Sequence, residues 1–142
     1  MYERSHVTTL TRSCDNTHMG KFTKIEEIGC WKEGVELALN IYALKRKSPL
    51  LQRDYGFVDQ IQRAAISIPS NISEGYERQS LLEFTRFLYI AKGSCGELRT
   101  QLLIAKELQY IIKTDFDLLD DKCRKISGMI MNLIKSMRTY KR

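Results

Sequence analysis

SIPSNISEGYERQS, residues 67–80, breaks the texture of the chain: one proline, one asparagine, one glycine and four serines sit between segments that read as helix on both sides. A flexible linker, a catalytic loop and a helical corner all share this composition. The residues before it decide among them. Phe57, Ile61, Ala65, Ile68 and Ile72 recur at steps of four and three, the spacing of one helical face, and Ile72 stays in phase beyond Pro69. An interior proline removes one backbone hydrogen bond and crowds the preceding turn, so the spacing predicts a kink, with the Ser67, Ser70 and Ser73 hydroxyls near the freed groups. The helix then closes at Gly75 or at Arg78-Gln79. Ser80, followed three residues later by Glu83 and at once by apolar residues, carries the signature of a capping box. The stretch therefore reads as the end of one helix and a tight corner into the next.

Outward from that corner the chain reads as four amphipathic helices. The first spans roughly 24–47, with Trp31, Val35, Ala38 and Tyr42 as its apolar face, and ends where Ser48-Pro49 disfavours further helix. A loop is expected over 49–54. After Ser80 the third helix carries Phe84, Leu88, Ala91, Cys95, Leu98, Leu102 and Ala105, with a second apolar row of Leu81, Phe87, Ile90, Leu103 and Ile104. Gly93, Ser94 and Gly96 lower its helix propensity, which predicts a neighbouring helix packed closely there. In the fourth helix Thr114 reads as the N-cap and Phe116, Leu119, Cys123, Ile126, Ile130, Leu133, Met137 and Tyr140 as the buried stripe. Short connections between such helices predict an all-α, antiparallel up-down-up-down four-helix bundle over 24–142. Residues 1–23 lack apolar periodicity and read as a disordered or loosely attached tail, within which Met19 offers an alternative start.

Composition narrows the function classes. With 142 residues, two prolines and eight glycines, one core with few, long elements is the expectation. Four cysteines without a CxxC pair and only two histidines argue against a zinc site, and no cofactor is expected. A signal-like or membrane-spanning apolar run is missing from the sequence, so a soluble, cytoplasmic protein with reduced thiols and no membrane partner is expected, and the sequon at Asn71-Ile72-Ser73 is coincidental. A phosphate loop and a nucleophile motif are also missing, and the helical body holds no histidine, which disfavours an enzyme.

YGFVDQIQRAAISIPSNISEGYERQSLLEFTRFLYIAKGSCGEL, residues 55–98, resembles the hallmark region of the four-helix-bundle proteins encoded by intervening sequences of bacterial 23S rRNA genes. The matching positions include Tyr55-Gly56, Arg63-Ala64-Ala65, Asn71-Ile72, Glu74-Gly75, Arg78, Ser80, Glu83-Phe84, Gly93-Ser94 and Glu97-Leu98. The similarity extends more weakly over about 25–112. The resemblance implies a closed four-helix fold, assembly into a ring-like homopentamer and no established catalytic activity. The chain is also similar to the accessory protein of diversity-generating retroelements, a basic pentameric bundle that works with a reverse transcriptase and nucleic acid. That role does not carry over without a reverse transcriptase. The family's name describes where its genes lie.

Two groups of residues are candidates for function. Asn71, Glu74, Arg78, Ser80 and Glu83 gather at the corner, where they read as a structural clasp more readily than as a ligand site. Lys122, Arg124, Lys125, Lys135, Arg138, Lys141 and Arg142 follow Asp121 without an intervening acid, and the net charge is +6. Such a run suits RNA or DNA phosphates with little sequence specificity, and five copies would repeat it around a ring. The competing reading is a protein-interaction scaffold whose charge maintains solubility.

Overall fold

The computed structural model describes residues 22–139. Among them the chain is all-helical: a 3₁₀ turn at Ile25–Glu27 leads into α1 (Gly29–Lys47), α2 (Pro49–Arg53), α3 (Tyr55–Glu77), α4 (Leu81–Glu107) and α5 (Lys113–Thr139). The expected tail lies outside the described residues except for its last two. Phe22 packs against the core, and Thr23 donates from its amide and hydroxyl to the Glu27 carboxylate, both at 2.9 Å.

α4 packs against α3 and α5, and α1 packs against the same two helices. The α4 heptad residues Phe84, Leu88, Ala91, Cys95, Leu98, Leu102 and Ala105 are all buried, as the spacing predicts. α3 runs unbroken through Pro69, which is itself buried, and Ile61, Ile68 and Ile72 keep to the core. The chain turns out of α3 through Gln79, whose φ of 55° is unusual for a residue with a side chain. Ser80 then caps α4 by accepting from the Glu83 amide at 3.3 Å. Gly75 is required at this corner. A Cβ there would lie 2.6 Å from the Phe87 Cβ, closer than real Cβ atoms come, and a tight 3.3 Å from the Phe84 Cα.

Several expectations need correction. Segment 49–54 is largely helical: Ser48 caps α2 by accepting from the Leu51 amide at 3.1 Å, and Pro49 occupies the first turn, where its missing N–H is harmless. The core face of α1 is Cys30, Gly34, Leu37, Ile41 and Leu44, so the stripe of Trp31, Val35, Ala38 and Tyr42 is rotated by one residue and leaves Val35 and Tyr42 exposed. Thr114 lies inside α5, which begins at Lys113. Farther along, Ile134 is buried where Leu133 is only half-buried. The second row of α4 is not a row, because Leu81 and Phe87 flank the core whereas Ile90, Leu103 and Ile104 face outward. Of the small residues in α4, Ser94 meets α3, but a Cβ on Gly93 or Gly96 would have nothing within 4 Å. No helix of the described part of this chain approaches those two glycines.

Candidate functional site

The corner residues divide into two groups. Asn71 sits one turn after Ser67 and donates to its carbonyl at 2.8 Å and its hydroxyl at 2.9 Å. The Ser94 hydroxyl donates to the Ile90 carbonyl at 3.2 Å, so in the 2.8 Å contact between Ser67 and Ser94 the proton comes from Ser67. A half-buried polar relay thus ties α3 to α4. Nearer the turn, Arg78 forks onto one oxygen of Glu74 at 2.9 and 3.2 Å and lies 5.0 Å from the centre of the Phe87 ring. Glu83 Oε2 has no hydrogen-bond partner and stands 3.7 Å from the Arg86 guanidinium. The polar heads therefore face each other or their own helix ends, and they do not converge on a common open point.

The basic run on α5 is interleaved with acids from elsewhere in the fold. Lys122 donates to Glu36 at 3.1 Å and to Asn40 at 2.7 Å, and Lys125 donates to Glu33 at 3.1 Å, joining α5 to α1. Arg124 pairs with Asp120 at 2.9 Å, and Arg138 donates to the Tyr89 hydroxyl at 2.5 Å. Lys135 is exposed and has no ion-pair partner among the described residues. Lys141 and Arg142 lie outside the described residues. Each exposed pair contributes little stability, but together the acids cancel much of the field that a phosphate chain would feel.

One group escaped the reading of the sequence. Asp120 is buried on α5 and accepts from Arg99 of α4 at 2.8 Å as well as from Arg124. Burial pushes its carboxyl up, but the hydrogen bonds and charges of the two arginines outweigh burial and hold it below the ordinary aspartate range. The signal was the acid's place in the apolar period, one residue after Leu119 and three before Cys123. The thiols of Cys30, Cys95 and Cys123 are free and buried, and burial pushes them up to about 11, 12 and 12 respectively. Such thiols are poor nucleophiles at neutral pH.

The remaining feature is the outward side of α4, where Leu82, Tyr89, Ile90, Leu103 and Ile104 are exposed around the open backbone of Gly93 and Gly96. No described helix is long and apolar enough to cross a membrane.

A crystal structure of a protein of unknown function from the S23 ribosomal protein family of Bacteroides thetaiotaomicron VPI-5482 is similar in fold, with a TM-score of 0.70 at 24% identity over 75% of this chain and 98% of that one. No curated protein matches the chain. The sequence profile described as 23S rRNA-intervening sequence protein matches residues 26–132, from the 3₁₀ turn through most of α5. On that match, which includes the whole corner and the α4 heptad, the chain belongs to the 23S rRNA-intervening sequence protein family.

Proposed function

We propose that the protein is a non-enzymatic assembly scaffold: an up-down-up-down antiparallel four-helix bundle whose copies associate through the outward side of α4 into a ring-like homopentamer. The observation that carries this reading is the pairing of open glycines with exposed apolar side chains on one long helix. A glycine in a helix interior costs about 1 kcal/mol relative to alanine, and no part of the described chain uses the space that Gly93 and Gly96 leave. A different face of a neighbouring copy would use it, as a closed ring requires, burying Tyr89, Ile90 and Ile104 at the same time. Alternating helix directions are supported by the order of cross-helix pairs. Lys47 meets Asp115 while Lys125 meets Glu33, and Tyr89 meets Arg138 while Arg99 meets Asp120.

The α5 cations supply weaker support for a nucleic-acid role than their number suggested, since Lys122, Arg124 and Lys125 are each matched by an acid of the same chain. Light scattering at micromolar concentration is expected to return a multiple of the 16.6 kDa chain mass. Gly93→Leu and Ile104→Glu are each expected to reduce that mass to one chain, with helical circular dichroism retained. In an isolated chain Gly93→Leu meets open space and raises helix propensity, so a monomeric wild type, or an assembly indifferent to both changes, would refute the scaffold.

A further inference from the structure

Where α1 ends and α2 and α3 begin, Tyr42, Lys45, Arg46, Gln52 and Tyr55 line a surface pocket of about 540 Å³, within the range of small-molecule sites. It is distinct from the corner, from the basic run of α5 and from the outward side of α4.

Its chemistry is unusually one-sided. None of the five residues is acidic, and neither Lys45 nor Arg46 has an ion-pair partner among the described residues. Cations in the last turn of a helix commonly cap its free carbonyls. Here Gln52 takes that place, its amide nitrogen donating to the Lys45 and Arg46 carbonyls at 3.1 Å each. The charged heads of Lys45 and Arg46 are thereby left available. The same two bonds fix which end of the Gln52 amide is nitrogen, because carbonyls only accept, so Oε1 remains as an acceptor without a partner among the described residues.

Tyr55 is 82% exposed at the first position of α3, and Tyr42 is exposed one turn before the end of α1. Among the described residues neither the ring nor the hydroxyl of Tyr42 or Tyr55 has a partner. The acid beside Tyr55, Asp54, is not among the residues that line the pocket. Asp54 spends one carboxylate oxygen on the Phe57 amide at 3.2 Å and the other on the Tyr110 hydroxyl at 2.8 Å. Ser48 donates to the Tyr110 carbonyl at 2.6 Å, so both flanks of α2 are tied to the connection between α4 and α5. The backbone of α2 and the Gln52 side chain are held before any ligand arrives.

Aromatic faces beside free cations and a free amide acceptor match one ligand chemistry: a planar base with an exocyclic amine, joined to a phosphate. We propose that this pocket binds a nucleotide unit, its base stacked on Tyr55 and Tyr42 and its phosphate held by Lys45 and Arg46. The unit is either free or part of a single strand, since stacking and phosphate contacts serve both. This goes beyond the scaffold reading and does not depend on it.

Fluorescence anisotropy with labelled deca-adenylate at 50 mM salt tests the site, with AMP and inorganic phosphate as competitors. Binding is expected to weaken about five- to tenfold between 50 and 200 mM salt if two cations meet phosphate. Tyr55→Ala is expected to weaken it about tenfold or more through lost stacking, and Arg46→Glu at least as much. Lys32→Glu, the same charge change at an exposed cation at the opposite end of α1, should leave affinity within about twofold. Competition by AMP below millimolar concentration assigns the pocket to free nucleotides, and binding of the oligomer alone assigns it to single strands; either supports the proposal. Absence of binding, indifference to Tyr55→Ala, equal loss with Lys32→Glu, or competition by phosphate as strong as by AMP would overturn it. Light scattering on Tyr55→Ala separates this outcome from failure of assembly, because the pocket variant should keep the wild-type mass.

Discussion

Phe84→Ala is expected to destabilise the fold by about 3–5 kcal/mol, measured as a loss of urea midpoint at fixed protein concentration. Phe84 is 1% exposed and sits where α3 hands over to α4. Its ring meets Tyr76 edge-on at 6.2 Å between centres, and its backbone lies where Gly75 allows the two helices to touch. Truncation removes the largest fully buried side chain among the described residues and leaves a cavity beside a backbone that cannot collapse, because the Gly75 corner is already at its closest approach. Leu39→Ala is the reference, since Leu39 is 64% exposed on α1 and should change stability by no more than about 0.5 kcal/mol. Equal midpoints for the two variants would mean that the corner does not hold α3 against α4.

The same corner shows how the sequence could be read and where it misled. Ser80 and Glu83 are close in sequence, so their cap was legible, as was the unbroken four-three spacing from Phe84 to Ala105. α1 was misread because two apolar rows run one residue apart along it, and the larger side chains drew the assignment to Trp31, Val35 and Tyr42. The true seam rests on Gly34, whose missing side chain lets Ile68 and Pro69 of α3 approach to 3.3–3.4 Å of where a Cβ would stand. A glycine contributes nothing to a hydrophobic pattern, and closeness to another helix is not encoded locally. Gly93 and Gly96 misled in the opposite direction: their cost to the helix was legible, but which surface uses the space was not.

Charge behaved likewise. The α5 cations form a run in sequence, yet the acids that match them lie 86 and 92 residues away, so the run looked free until the chain was folded. The pocket beside Tyr55 was hidden for a related reason. Ser48-Pro49 was read as a stop, although the same two residues start α2, and only α2 brings Gln52 back onto the carbonyls at the end of α1.

Asp120 is where charge inside the fold should be most visible in solution. Asp120→Asn is expected to cost about 1–3 kcal/mol at pH 7, the loss of two charge-assisted hydrogen bonds discounted because Arg99 and Arg124 remain partly open to water and can rehydrate. The carboxyl itself is only 9% exposed, so its own bonds are poorly replaced by solvent. Its folded pKa lies below the ordinary value of 3.8, which means the unfolded chain takes up the proton first as pH falls. Stabilisation by Asp120 is therefore complete above the ordinary aspartate range and fades as pH drops through the lower, folded value. The difference between wild type and Asp120→Asn should accordingly be constant from about pH 5 to 7, begin to shrink below about pH 4 as the unfolded chain takes up the proton, and level off only below the folded value, where both side chains are uncharged and of similar shape. Urea denaturation across that range checks it. A difference that stays level down to pH 2 would show that the arginines hold α4 to α5 without drawing on the charge of Asp120.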